Sequence, residues 1–594
     1  MNINHRNLSQ ENVALDIKPD KKNPRMKTHI RLDGLKACGW CLLISALVIF
    51  PFFFIGEDPK VGCCGGEMPV THDMAMHLAQ MQGFHRGLQN GYLYPRWQED
   101  TNSGFGAPTT IFYPPAIYYL SSTIYSIFGD WMLTMKALYY LLMVGSGMAL
   151  YFLARRLLMP QGAAIAMIVY LIAPYHLLNH YQRGALAECL SFIWMPLILR
   201  FVWDLLSPPK TPVQRRLLAG INDVVWLSLS WGLFIFSHPP TAYQFVLIWA
   251  PIFCFIVIWR RQWIQTLRIG AALAVGSLLA GSYIIPAILE QKEIHANDVE
   301  AAWPYHESYV FLMSSARYDH RVDDFVKRID YIWLFTIIVI LLIAALVVAA
   351  YLRGQRVTTI RPWLMAGLFA SLMMTFISKP FGRLIPKIEI GVFSWRMLAL
   401  TTLILAILTG WLFELGRLMK NRFGLGLTLA AVAIIGATAW MSYAWVIRPM
   451  YRAENFRPDP THSNYSTAPR LAGRELPDRE RVFIARGEGG TRIERWEPEL
   501  KEILVTAATP VSVSMRTFVY PGWVAYVDGN QIEIETGLAG EIVVPIKEGA
   551  HQLQLKFTNT WDRQVGNALT TFAALLLATV TLLAHFAKSR AMET

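Results

Sequence analysis

The stretch FYPPAIYYLSSTIYSIF, residues 112–128, decides how the whole chain is threaded. With Ile111 it forms an apolar run, 111–128, that reads at first as a membrane span, and 131–154 follows as another. If both crossed, Arg155-Arg156 would lie outside and every later basic turn would be inverted. Basic residues gather in the cytoplasmic loops of membrane proteins, so that threading fails. Pro114-Pro115 and the tyrosines suit a segment that only dips into the outer leaflet. Then 131–154 runs inward and Arg155-Arg156 are cytoplasmic.

The rest follows by alternation. Spans are expected near 38–56, 131–154, 161–178, 189–206, 221–238, 241–259, 269–287, 331–352, 362–378, 395–415, 424–446 and 565–586. A hydrocarbon core asks for about 20 apolar residues per span. The turns PPKTPVQRR, RRQWIQTLR, RGQRVTTIR and GRLMKNR and the tail AKSR then all face the cytoplasm, and all are basic. Twelve spans satisfy the charge rule at every loop; thirteen do not. The basic segment 1–37 has no small-residue cleavage site after it, so the first span is expected to stay. Both termini are expected in the cytoplasm.

Composition agrees with this fold class, a polytopic α-helical membrane protein. Of 594 residues 54% are hydrophobic and only 16% charged, against about 25% charged in soluble domains. The net charge of +12 could suggest nucleic acid. Its placement in short turns argues for topology signals instead, and no nucleic-acid-binding motif is present. Six cysteines form no spaced metal quartet. Cys38 and Cys41 read as small membrane residues, and Cys63-Cys64 as a vicinal pair, as partners of other groups, or as free thiols.

The segments left outside are 57–130, the turns 180–188, 237–240 and 379–396, a loop 288–330, and a block 447–564. The block changes character: EILVTAA, VSVSMRTFVY, WVAYV, QIEIE, EIVVPI and HQLQLKF alternate in the strand period, with a turn at Asp528-Gly529-Asn530. It reads as a small extracytoplasmic β-sandwich between the last two spans. The domains expected are thus a basic tail, 1–37; a membrane domain, 38–446; the sandwich, 447–564; and a last span with its tail, 565–594.

Polar side chains concentrate on that outer side. THDMAMHLAQMQGFHRGLQNGYLYPRWQED, residues 71–100, reads as a helix with Asp73 and His77 on one face. Asp73 either favours the helix amino terminus electrostatically or serves as a general base with His77 beside it. Arg183 and Glu188 flank one turn, His238 ends another, and Arg396 follows Trp395 at the start of a span. Interfacial Arg and Trp are common anchors, and Arg183 and Glu188 can simply pair. Charges at membrane depth are costly, however, and tend to mark function. A carboxylate can take the proton of an acceptor hydroxyl, and arginines can hold a departing phosphate. Tyr113, Tyr118 and Tyr119 are then expected along the path of a lipid-linked donor.

The residues G-Y-L-Y-P-R-W, N-S-G-F-G-A-P and F-Y-P-P-A-I-Y-Y-L after an acid resemble the first loop of GT-C fold glycosyltransferases, which use polyprenyl-phosphate sugars. Y-Q-R-G-A-L-A-E, S-H-P-P, F-S-W-R-M-L and Y-P-G-W-V-A-Y-V-D-G extend the resemblance over most of the chain. It looks closest to the bacterial YfhO-like group, labelled "6-pyruvoyl-tetrahydropterin synthase-related", a label that gives no reason to expect pterin chemistry.

The resemblance implies an inverting transfer with Asp73 as catalytic acid residue of the first loop. His72, His77, Tyr94, Arg96, Trp97, Arg183, Glu188, His238 and Arg396 become candidate substrate contacts. The implied partners are a polyprenyl-phosphate-linked sugar, a glycan, lipid or protein acceptor, and membrane lipids, without nucleic acid. Oligosaccharyltransferases of this fold bind a divalent metal through a D-x-D-type pair. Here His72 precedes Asp73, no acid lies two positions away, and Asp323-Asp324 has the wrong spacing. A metal-independent enzyme is expected, although His72, Asp73 and His77 could hold an ion. Two other readings stay open: a transporter or flippase of lipid-linked sugars, and a non-catalytic scaffold for glycan assembly.

Overall fold

A computed structural model describes residues 24–51, 68–69, 71–207, 213–295, 308–313, 325–382, 393–448, 455–456, 469 and 480–593. Cys63, Cys64, His306, His320 and Asp323-Asp324 lie outside the described residues. The chain is a polytopic bundle of apolar helices carrying a small β-domain before the last helix. Among the described residues nine helices are long and apolar enough to cross a membrane: Trp131–Leu157, Pro160–Arg183, Leu186–Leu206, Gly220–Ser237, Pro239–Arg260, Phe325–Leu352, Ser394–Leu418, Arg422–Ile447 and Trp561–Ala587. They coincide with nine of the twelve expected spans. Helices suit lipid because each backbone N–H is satisfied within its own segment.

Of the remaining three, the first falls on the helix Pro24–Ile49, whose apolar run continues beyond the described residues. A second, expected at 362–378, is a helix of only 13 residues, Arg361–Met373, followed by a short 3-10 turn. The third corrects the sequence reading. The expected straight span 269–287 is broken, with Trp263–Leu279 and Gly281–Leu289 meeting at 71°. Gly281 faces Gly566 of the last helix so closely that a Cβ on either would press on the other's backbone. Ser282 N donates to Thr570 Oγ1 at 2.8 Å. The bend thus docks the short arm against the last helix. The stretch 112–128 forms Ala116–Phe128, 13 residues long after a short turn at Thr109–Phe112, and does not qualify as a span.

Contacts between helix ends separate the two ends of the bundle. At one, Arg156 pairs with Asp204 at 2.8 Å and Glu414 accepts from Met159 N. At the other, the ends near 183, 188 and 396 converge.

The β-domain is an antiparallel sandwich. One sheet orders Val482–Arg486, Val511–Phe518, Glu541–Ile546 and Glu535–Thr536; the other orders Gly489–Glu497, Leu500–Ala507, Gly549–Phe557, Trp523–Val527 and Asn530–Ile532. Alternate residues of both, including Val505, Met515, Val544 and Leu553, fill its core. At the expected turn, Val527 pairs with Asn530 across Asp528 and Gly529, whose φ values of 51° and 81° fit a two-residue hairpin.

A buried ion pair ties this domain to the bundle. Arg563, at the start of the last helix, donates from Nε and Nη2 to the two oxygens of Glu290 at 2.7 Å each, and Tyr520 OH donates to Glu290 at 2.6 Å. Removing one partner of a buried pair leaves an unmatched charge and costs about 3–5 kcal/mol. Glu290→Gln is therefore expected to lower the thermal midpoint in detergent and to open the junction at 558–563 to protease. An unchanged midpoint and digestion pattern would show that the pair does not fasten the domain.

Candidate functional site

Chain breaks bring the polar residues together. Pro174 restarts the helix after Ile172, and Asn179–Arg183 then widens into a π-turn. Such turns recur at functional sites because they re-aim side chains out of helical register. Gly184 ends the turn at φ 64°, and a Cβ there would collide with the side chain of Thr71. That closeness lets the first loop dock: His72 N donates to Gln182 O at 3.1 Å, and Asp73 N to Arg183 O at 2.9 Å.

Glu188 is fully buried and sits at the hub. Arg183 Nη1 donates to its Oε2 at 2.5 Å, and Tyr175 OH donates to its Oε1 at 2.7 Å. Arg396 approaches the same Oε2 with Nε at 3.4 Å, an ion pair without hydrogen-bond geometry, so this buried Nε has no hydrogen-bond partner. Aromatic rings brace both cations. The Arg183 guanidinium lies 4.8 Å over Trp395 and that of Arg396 4.9 Å over Phe393, while the two rings stack on each other.

Asp73 precedes the helix Met74–Gln89 without capping it through its side chain. It is electrostatically coupled to Arg183, Arg396 and Glu188. Burial holds its carboxyl above the usual range; the two arginines pull it down and Glu188 pushes it up, and burial prevails. His77, one turn on, is fully buried, and burial alone pushes its pKa down to about 3, so the ring is neutral. Its nitrogens face Tyr113 OH at 3.4 Å and Tyr118 OH at 3.5 Å. His238 caps the helix Pro239–Arg260 by accepting from Thr241 N, and its charge is coupled to Arg396, Glu188, Arg183 and His77. His72 packs edge-on to Phe325, which meets Trp395.

The structure thus brings together Asp73, His72, His77, Arg183, Glu188, His238 and Arg396. It places the other three candidates elsewhere. Trp97 lies in the sandwich core, 5.3 Å from Trp523 and 5.5 Å from Phe557. Arg96 N and Trp97 N both donate to Glu499 of the sandwich. The Arg96 guanidinium reaches Asn559, Asn567 and Ser282 O, and Tyr94 lies beneath it at 4.5 Å. Side chains that pack with a β-domain and side chains that contact a substrate look alike in a tyrosine- and arginine-rich string. Sequence reasoning passed over Tyr175 and Asn179, which complete the shell of Glu188. Pro174 and the five-residue spacing from Arg183 to Glu188 were the available signals.

No protein-family model matches the chain, and no curated protein is significantly similar to it. Solved structures resemble it at a distance. The Archaeoglobus fulgidus oligosaccharyltransferase, tethered with an acceptor peptide containing the NVT sequon, is 13% identical with a TM-score of 0.43, over 71% of this chain and 56% of that one. ArnT from Cupriavidus metallidurans is 14% identical in the apo state and 15% bound to undecaprenyl phosphate, with a TM-score of 0.36 in both. These matches cover 70% of this chain and 76% and 75% of ArnT. The chain spans 56% of the length of the Archaeoglobus enzyme. TM-scores this low assign no chemistry.

The Asp73 shift carries a sign that can be checked. An unfolded aspartate titrates near about 3.9, and the native group holds its proton to higher pH. Within that window the native state binds more protons than the unfolded state, so this group's contribution to stability falls as pH rises. The thermal midpoint of the wild type should therefore drop relative to that of Asp73→Asn as pH increases from about 4 to about 7. Parallel curves would place Asp73 at an ordinary carboxylate value.

Proposed function

We propose that this chain is a membrane glycosyltransferase of the GT-C type, moving a sugar from a polyprenyl-phosphate donor to an acceptor hydroxyl with inversion. One observation carries the reading: a carboxylate and two guanidinium groups meet at one end of an apolar bundle. Asp73 takes the proton of the acceptor hydroxyl as its oxygen attacks the anomeric carbon. The bond from that carbon to the donor phosphate breaks, and its electron pair leaves on the phosphate oxygen. Arg183 and Arg396 face the charge that builds there, and donors aimed at developing charge in a dry site are a large source of rate. Arg396 Nε, ion-paired with Glu188 but without a hydrogen bond, offers such a donor. Neutral His77, held between Tyr113 and Tyr118, orients the acceptor without competing for the proton.

A base whose pKa lies above that of an ordinary aspartate is better matched to neutral pH. We read the reaction as metal-independent, because two cations flank Asp73 and disfavour a dication beside it. The reading also places this end of the bundle and the sandwich on the periplasmic side of a bacterial inner membrane, acting on a cell-envelope glycan, lipid or protein. Within it the finer kinship is with the YfhO-like group, through the first-loop residues.

Asp73→Asn is expected to lower transfer about 10²- to 10⁴-fold, the usual loss of a general base, while the protein inserts and elutes normally. Wild-type activity should fall on acidification from a higher pH than an ordinary aspartate allows, and EDTA should leave it unchanged. The measurement is transfer of radiolabelled sugar from prenyl-phosphate donors to membrane extracts. Full activity of the Asn variant would remove Asp73 from the chemistry.

A further inference from the structure

A second cationic site lies away from Asp73. A cavity of about 640 Å³ opens between the first loop, the sandwich and the last helix, lined by Tyr94, Arg96, Tyr119, Phe236, Asn559 and Asn567 among others. Arg96 is only 4% exposed. Its Nη1 donates to Asn559 Oδ1 at 2.5 Å, and its Nη2 to Asn567 Oδ1 at 3.1 Å and Ser282 O at 3.3 Å. All three acceptors are neutral. Its Nε is buried and has no hydrogen-bond partner. Glu499, the carboxylate in this wall, accepts the backbone N–H groups of residues 96 and 97 and forms no salt bridge with the guanidinium.

Two arginines, Arg96 and Arg563, face two glutamates, Glu290 and Glu499, but neither carboxylate touches the Arg96 guanidinium. Burial works first against the Arg96 charge and Arg563 works the same way, opposed by Tyr94, Glu499 and Glu290. Arg563 is itself matched by Glu290, to which its Nε and Nη2 donate. An arginine is always charged, and a buried one whose counter-ions are out of contact is costly. Because Asn559 and Asn567 turn their oxygens to Arg96, their Nδ2 groups remain as donors, and neither bonds a protein group among the described residues. Two amide groups with unused N–H donors beside one cation make an anion receptor.

The surface around the cavity is apolar. Leu93 in its lining is 89% exposed; Phe572, next to the lining residue Thr571, and Leu575, one turn beyond it, are 58% and 63% exposed. On a helix that crosses a membrane such side chains face lipid. We propose that this cavity binds the phosphate of a membrane-lipid headgroup, with Arg96 beneath the phosphate and the acyl chains lying along the last helix. The cavity lining includes no residue of the Asp73 cluster, and the proposal does not depend on the transfer reaction.

Native mass spectrometry of the full chain in detergent, titrated with dioctanoyl phosphatidylglycerol, reads the tightest lipid equivalent. Arg96→Gln is expected to weaken it about tenfold or more, as loss of a charge-assisted contact does. Arg396→Gln, in the other cluster, should leave it within about twofold. If Arg96→Gln fails to fold, Thr571→Trp, which adds bulk at a lining position that makes no hydrogen bond to Arg96, should produce the same loss. Inorganic phosphate, as the headgroup chemistry alone, should compete weakly. Lipid binding that survives both cavity variants, or that disappears with Arg396→Gln, overturns the proposal. So does tight binding of inorganic phosphate with no binding of the lipid.

Discussion

Glu188 has no exposed surface, and a carboxylate stripped of water is tolerable only when its oxygens are fully engaged. Four groups engage it: Arg183, Tyr175 and Asn179 from one broken helix, and Arg396 from a helix more than 200 positions away. Satisfying one charge therefore fixes the relative placement of two helix ends and the π-turn between them. Through Arg183 O it also fixes the first loop, since Asp73 N hangs from that carbonyl. The geometry around Asp73 is inherited from the shell of Glu188.

The first loop is shared between two neighbours. Its helical half, Met74–Gln89, packs into the bundle, and residues 96–107 complete the sandwich, with Phe105 stacked 5.1 Å from Phe518 and Phe105 O accepting from Phe518 N. Met68-Pro69 pairs with Asn455-Phe456 and adds a further strap. With the Glu290–Arg563 pair, these contacts make the sandwich part of the wall around the first loop. A domain fastened at three places is positioned by buried polar groups, whose geometry tolerates little drift.

Much of this could be read from the residues. Apolar runs near span length mark helices because lipid allows few alternatives, and nine expected spans stand as helices. Pro114-Pro115 mark the segment that stays short. Strand alternation and the Asp528-Gly529 turn mark the sandwich, since each strand has one buried face. Illegible features depend on partners distant in sequence. Hydropathy is blind to Gly281 meeting Gly566, so the broken helix looked continuous. Trp97 follows Arg96 in a string that suits an interface anchor, and only the sandwich core tells it apart. The convergence of Asp73, Arg183, Glu188, His238 and Arg396 was legible as a shared side of the membrane; Tyr175 and Asn179 were hidden among ordinary helical residues.

The two cation sites differ in how charge is balanced, and the difference bears on what each can do. Around Glu188, two guanidinium groups share one carboxylate, and Asp73 supplies a second negative charge that burial makes reluctant to form. Ionised Asp73 leaves the cluster neutral; protonated Asp73 leaves it one charge positive. On the proposed chemistry an arriving anionic phosphate meets that surplus, and it raises the affinity of Asp73 for a proton just where one must be accepted. The Arg96 guanidinium touches only neutral acceptors, and Glu499 and Glu290 act on it at longer range. A site with a titrating partner suits turnover, because charge can be reset in each cycle. A site whose cation is held by neutral amides and a carbonyl suits retention, which is the property expected of a structural lipid contact.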